Sequence, residues 1–115
     1  MIGAAIEVHR HLGPGLLESA YRRCLVHELR LRGHQVLTEV PLELAYKSLL
    51  VGSAYRVDVV VDGCLIVEVK AVAALLPVHE AQLLTYLRLS GKPLGLLLNF
   101  GVQLLKDGGI IRLAM

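Results

Sequence analysis

The chain has 115 residues, 55% hydrophobic, 19% charged and 4% aromatic, with a mean hydropathy of +0.60. That apolar fraction excludes a disordered chain, the length suits one domain over residues 1–115 with a core that needs no staples, and the longest apolar runs, 71–76 and 94–98, fall far short of the roughly 20 residues that cross a bilayer. Twelve basic against ten acidic side chains leave a net charge of +2, too small an excess to argue a polyanionic partner by itself, so a basic surface has to come from clustering.

The opening residues, Met1 to Glu7, lack the basic head of a signal peptide. Cys24 and Cys64 form no CxxC and no metal spacing; they read as buried thiols in a reducing compartment, which places the protein in the cytoplasm. The high apolar content of so small a chain favours a covered surface, and a homodimer is one way to cover it.

In chain order, Ile2, Ile6 and Val8 begin an apolar helical stripe that reaches His11-Leu12 and stops at Gly13-Pro14-Gly15, where proline removes a donor and glycine loosens the backbone. A second helix runs from Leu16 to about Arg32, with Leu17, Ala20, Tyr21, Cys24, Leu25 and Leu31 at helical spacing and Gly33 as the stop. Strands follow at 35–40 and 42–46, parted by Pro41, then a Lys47-Ser48 turn. Valine-rich strands at 55–61 and 64–70 flank Asp62-Gly63, a hairpin signal. Pro77 opens a helix to about Ser90, with Val78, Leu83, Leu84 and Leu87 on its apolar side. Leu94–Asn99 is apolar enough for a strand buried on both faces, and 110–113 reads as an edge strand. The expected fold is α/β, a mixed sheet flanked by helices.

The 55–70 hairpin sets the chemistry. Val57, Val59, Val61, Leu65, Val67 and Val69 occupy odd positions, while Asp58, Glu68 and Lys70 fall on even ones. A two-residue turn pairs Val61 with Cys64 and parts Asp58 from Glu68. A three-residue loop ending in a left-handed Gly63 pairs Val60 with Cys64 and sets Asp58 diagonal to Glu68 on one face. The valines select the second arrangement. Two close carboxylates repel each other and are relieved by a cation, and hard oxygen donors with open positions suit Mg²⁺ or Mn²⁺. A lysine two residues beyond the glutamate can orient or deprotonate a water for phosphodiester hydrolysis. Spacing alone leaves an exposed strand of alternating charges as the commoner reading.

Four motifs in order tip that balance: Gly15-Leu16-Leu17-Glu18-Ser19-Ala20-Tyr21 (G-x-x-E-x-x-Y), Asp58, Glu68-Val69-Lys70, and Gln82 with Tyr86 one helical turn on. With them the chain resembles the GxxExxY family of the PD-(D/E)XK nuclease superfamily over nearly its whole length. The resemblance implies a restriction-endonuclease-like core and metal-dependent cleavage of nucleic acid, DNA in preference to RNA. It implies Asp58 and Glu68 as metal ligands with Glu18 completing the cluster and the Val69 carbonyl as an extra ligand. Lys70 is then the catalytic lysine, and Gln82 and Tyr86 support the site. Val57 stands where the motif has proline. Arg22, Arg56, Arg88 and Lys92 are candidates for phosphate contacts, although charged helix faces are usually only solvated. A copy that keeps the fold but has lost the chemistry, and merely binds nucleic acid or a protein, is the alternative. The histidines read as packing or surface residues; His79, near the start of its helix, is the one best placed for more.

Overall fold

The computed structural model describes the backbone of residues 1–115 and every side chain except those of Ser53 and Ala54. Three helices, α1 (Ile2–Leu12), α2 (Glu18–Leu31) and α3 (Pro77–Ser90), flank five strands, β1 (Val36–Tyr46), β2 (Leu49–Val61), β3 (Leu65–Lys70), β4 (Leu94–Asn99) and β5 (Ile110–Ala114). The strands form one sheet in sequence order. All neighbours are antiparallel except β3 and β4, which α3 joins in parallel. α1 and α2 cover one face, where Ala4, Ala5, Tyr21, Leu25 and Leu29 pack on Val59, Val61, Val67, Val69, Leu96 and Leu98. α3 covers the other, where Leu83, Tyr86 and Leu87 pack on Leu42, Val57, Val60, Ile66 and Leu97. Among the described residues no helix is long and apolar enough to cross a membrane.

The expected α/β mixed sheet is present, but its first half is built from longer strands. β1 runs unbroken through Pro41, which pairs with Arg56. Proline is tolerated there because β1 is an edge strand with ladder bonds to make on one side only. β2 starts at Leu49 rather than Tyr55, directly after the expected turn, where Lys47 adopts φ 54°.

Helix faces also differ in detail. The buried side of α1 is Ala4, Ala5 and Val8, while Ile6 is exposed. That of α2 is Tyr21, Leu25, Val26 and Leu29, with Leu17 and Leu31 exposed. On α3, Val78 and Leu84 point outward and Tyr86 inward. Small residues let α1 approach the core closely, so the bulky aliphatics that mark a stripe in the sequence are not the ones buried. Both cysteines are exposed and free rather than buried; Cys64 sits in the hairpin loop.

Two irregularities shape the middle of the sheet. At the β2–β3 turn, Asp62 and Gly63 are both left-handed and the Cys64 N–H donates to the Val61 carbonyl at 3.1 Å, yet the ladder resumes with Val61 opposite Leu65. Cys64 is therefore the extra residue, and the register is two positions away from the expected Val60–Cys64 pairing. Parity is unchanged by a shift of two, so Asp58 and Glu68 still share a side.

The second irregularity is a break in the β1–β2 ladder between Thr38–Val59 and Val40–Val57. Glu39, at φ 51°, sits in that gap across from Asp58. Both strands change faces there. Val36 and Val59 face α2, whereas Val40, Leu42 and Val57 join the α3 cluster. Val57 is thus on the opposite face from the other odd-numbered valines of the hairpin.

At the far end of β3 and β4 the chain is held by Asn99, which is fully buried. Its Oδ1 accepts the Val72 and Gly101 N–H groups and its Nδ2 donates to the Val72 carbonyl, each at 3.0 Å. A Cβ on Gly101 would meet the Val72 oxygen at 2.3 Å. Because backbone cannot yield as a flexible side chain can, Gly101→Ala is expected to lower stability by about 2 kcal/mol or more. Thermal melting checks this, with an alanine variant that melts like the wild type as the contrary result.

Candidate active site

The Asp58–Glu68 pair forms where two strands part. The β2–β3 ladder ends at Val59–Val67, and one step further along the same register lies Asp58 facing Glu68. The backbone N–H groups that lose ladder partners there are taken up by side chains. The Asp58 N–H donates to Glu68 Oε1 at 3.1 Å, and the Val69 N–H donates to Asp58 Oδ2 at 3.1 Å. Each carboxylate thus holds the opposite strand, and each keeps one oxygen for something else. Asp58 Oδ1 lies 3.5 Å from Arg22 Nη1 of α2. No protein donor reaches Glu68 Oε2 among the described residues.

The electrostatics follow from this crowding. Burial, opposed in part by the Val69 N–H and by the Arg22 and Lys70 charges, raises the Asp58 pKa. Burial and then the Asp58 charge push Glu68 up to about 7. Glu68 is only 5% exposed. A buried and a half-buried carboxylate that resist joint ionisation form a donor set that a hard dication relieves. Their two remaining oxygens fit such an ion if it brings waters for its other positions. They are not a closed cage: no three His, Cys, Asp or Glu side chains among the described residues gather closely enough to make one.

Glu18 opens α2, where a carboxylate complements the helix dipole. Its Oε2 accepts the Ala71 N–H at 3.4 Å, and its charge acts on both Asp58 and Glu68. What places it is Tyr21, three residues on. The Tyr21 hydroxyl donates to the Gly13 carbonyl and accepts the Leu16 N–H, so it ties down the Gly-Pro-Gly loop before α2. Its ring stacks on Phe100 at 4.7 Å. The tyrosine of G-x-x-E-x-x-Y is therefore a clamp on the loop that delivers the glutamate.

Lys70 ends β3 beside Asn99 of β4. Its carbonyl accepts the Phe100 N–H at 2.8 Å, which fixes the backbone from which its side chain projects. Lys70 makes no ion pair among the described residues, yet its charge lowers the pKa of both carboxylates. On the α3 side, Gln82 Nε2 donates to the Tyr86 hydroxyl at 2.9 Å. Burial, then the Glu68 charge, raises the Tyr86 pKa, so α3 brings this pair to the edge of the same site. Tyr55 packs edge-on against Tyr86 at 6.0 Å.

The cationic candidates divide. Arg22 reaches the site, and Arg56 lies two residues from Asp58 on exposed strand. Arg88 closes α3 and Lys92 precedes β4, which puts both at the opposite end of the sheet from Lys70 and Asn99. Five residues of strand separate those ends, about 17 Å. Three of the histidines serve structure. The His9 ring meets the Phe100 carbonyl at 3.2 Å, His34 pairs with Asp62 at 2.7 Å, and His79 Nδ1 accepts the Leu76 N–H at 3.0 Å at the start of α3. Asn99 and Gly101, which hold the strand end behind Lys70, carry no motif of their own; the one available signal was a polar residue closing the apolar run 94–98.

A family model described as the PD-(D/E)XK nuclease superfamily matches residues 1–113. No curated protein and no solved structure matches the chain.

The raised Glu68 pKa has a thermodynamic consequence. A carboxyl with an ordinary value of 4.5 that titrates near 7 in the fold contributes stability fully below its unfolded pKa and loses it as pH rises through 7. Glu68→Gln keeps the oxygen that accepts the Asp58 N–H but cannot ionise. In chelator, the variant is expected to melt higher than the wild type at pH 8, by an amount on the order of 3 kcal/mol, with the gap closing towards pH 5. A gap that does not change with pH would contradict this origin of the shift.

Proposed function

The chain belongs to the PD-(D/E)XK nuclease superfamily, and from that premise we propose that it hydrolyses phosphodiester bonds of nucleic acid with a divalent metal, as a GxxExxY-type member acting on DNA in preference to RNA. The observation that carries this reading is the mutual capture of Asp58 and Glu68, each binding the other's strand through one oxygen and keeping the second. It is supported by nucleases of this superfamily generally using divalent metals.

In this reading Asp58 and Glu68 hold Mg²⁺ or Mn²⁺; Glu18, expected to complete the cluster, does not gather with them closely enough for a three-acid set among the described residues and contributes its charge from α2. When bound, the ion supplies charge neutralisation at the phosphoryl group and a more acidic water. The residues of the chain do the rest. Lys70, carried on a strand end that Asn99 and Phe100 fix in place, donates from its ammonium to orient the attacking water and offsets the charge that builds on the phosphate. Gln82 and Tyr86 steady the α3 side of the site and the phosphate near it, and Arg22 and Arg56 lie where a backbone phosphate would arrive. Residues 1–115 work as one catalytic unit with a single centre, so cutting both strands of a duplex requires two copies.

Incubation of the purified chain with Mg²⁺ or Mn²⁺ and labelled single-stranded DNA, duplex DNA and RNA tests this. Cleavage of DNA is expected, abolished by chelator. Lys70→Ala is expected to lower the rate by about 10²-fold or more, while its melting temperature stays near that of the wild type because the side chain makes no ion pair. A Lys70→Ala protein that cuts as fast as the wild type would remove the lysine from the mechanism. Cleavage that persists in chelator would remove the metal.

A further inference from the structure

Arg22 is the cation that touches the acidic pair, and its surroundings give it two places to go. It lies on α2 one turn after Glu18, and its guanidinium comes within 3.5 Å of Asp58 Oδ1, the oxygen that the Val69 N–H leaves free. That distance makes an ion pair but no short hydrogen bond, and the side chains are 27% and 23% exposed, so the contact is weakly held. On its other side Arg22 lines a groove of about 1100 Å³ formed by α1, α2 and β1, together with Arg23, His27 and Arg30. Arg30 is fixed by its bond to the Val36 carbonyl. Arg23 and His27 pair with no carboxylate among the described residues. The acids on that wall are largely engaged elsewhere, Glu7 by Arg10 and His11, and Glu28 by Arg32. Glu39 alone is unengaged among them.

We propose that Arg22 and a divalent cation compete for the same Asp58 oxygen, and that Arg22, once displaced, turns into this groove to hold a phosphate of the substrate strand. This deepens the nuclease reading and rests on it. A like-charged ion arriving at Asp58 Oδ1 repels the guanidinium, whose flexible stem lets it move by torsion alone. The groove next to it holds Arg23 without an acid partner, and Glu39 is the one unengaged carboxylate there that a displaced Arg22 would meet beside the phosphate. Metal loading then switches on one phosphate contact, so the chain holds nucleic acid more tightly once it is able to cut it. No bond is made or broken in this exchange.

The test uses the full chain and two readouts that do not depend on turnover. Mn²⁺ binding is measured by titration calorimetry for the wild type, Arg22→Ala and Arg22→Gln, the last keeping most of the aliphatic stem should alanine fail to fold. Binding of a labelled single-stranded DNA oligonucleotide is followed by polarisation, with Ca²⁺ and with chelator. Removal of the competing charge is expected to tighten Mn²⁺ binding about three- to tenfold. It is expected to weaken DNA binding in Ca²⁺ and to lower the salt slope by about 1, with little effect in chelator. If the wild type binds Mn²⁺ and neither variant binds it more tightly, Arg22 does not compete for the oxygen and the proposal falls while the nuclease reading stands. If the variants lose DNA binding equally with and without Ca²⁺, Arg22 is a fixed phosphate contact and the exchange is wrong. If neither the wild type nor the variants bind Mn²⁺, the metal reading falls and takes the exchange with it.

Discussion

The reciprocal bonds between Asp58 and Glu68 are the constraint on which the rest of the molecule turns. A sheet that opens between two strands leaves unpaired N–H groups at the fork, and buried N–H groups without partners are costly. Here the fork is closed by two side chains, each accepting from the backbone of the other strand. The same bonds that let β2 leave β3 also hold two anions side by side in a place that is mostly buried. Repulsion between them is therefore a consequence of how the sheet is terminated, and a chain that needed only to end a ladder could do so with neutral serine or asparagine. The retention of two carboxylates with raised pKa values is what separates a metal-binding reading from a purely structural one.

Each supporting element can be understood as holding this fork open. The face change at Glu39 and Asp58 sends the outer half of the β1–β2 hairpin towards α3, so Val57 packs with Leu83 and Leu87 while Val59 packs with Leu25 and Leu29. Anchored in different cores, the two neighbours of Asp58 prevent β2 from closing back onto β3. The strand end beyond Glu68 is secured by Asn99, whose amide bonds to both backbone groups of Val72. Tyr21 does the same for the loop that leads to Glu18. Val57 and Val59 on β2, Asn99 on β4 and Tyr21 on α2 thus fix the approach of Asp58, Glu68 and Glu18, which is how a small fold gains precision at a site.

The sequence carried a good part of this. Helix and strand types, the turn at Lys47-Ser48, the burial of β4 on both faces and the shared side of Asp58 and Glu68 are all readable, because each depends on local periodicity or on a turn residue. What could not be read depends on neighbours distant in the chain. Pro41 reads as a strand end in the sequence because its tolerance comes from lying at the sheet edge, which is a property of topology. Val57 looked equivalent to Val59 because alternation assumes an unbroken ladder, and the break at Glu39 has no sequence signal. Cys64 replaced Val61 as the extra residue of the hairpin for a related reason: a left-handed Asp62-Gly63 pair is compatible with either register, and the packing of Val61 and Leu65 against α1 and α2 decides. Arg88 and Lys92 looked like partners of the site only while strand direction was unknown.

Arg22 illustrates how an energetic role differs from a motif role. Nothing in G-x-x-E-x-x-Y marks the next residue, yet helical geometry puts position 22 about one turn beyond Glu18, on the same side of α2. A glutamate there that faces the fork brings an arginine with it. The carboxylates at the fork carry more negative charge than Lys70 alone can balance, and Arg22 supplies the local compensation at Asp58 Oδ1. Compensation by a flexible cation is cheap to undo, since the pair is long and partly hydrated, whereas compensation by a rigid buried pair would bar any other cation from the oxygen. The looseness of that contact is therefore consistent with a site that has to accept a different positive charge in order to work.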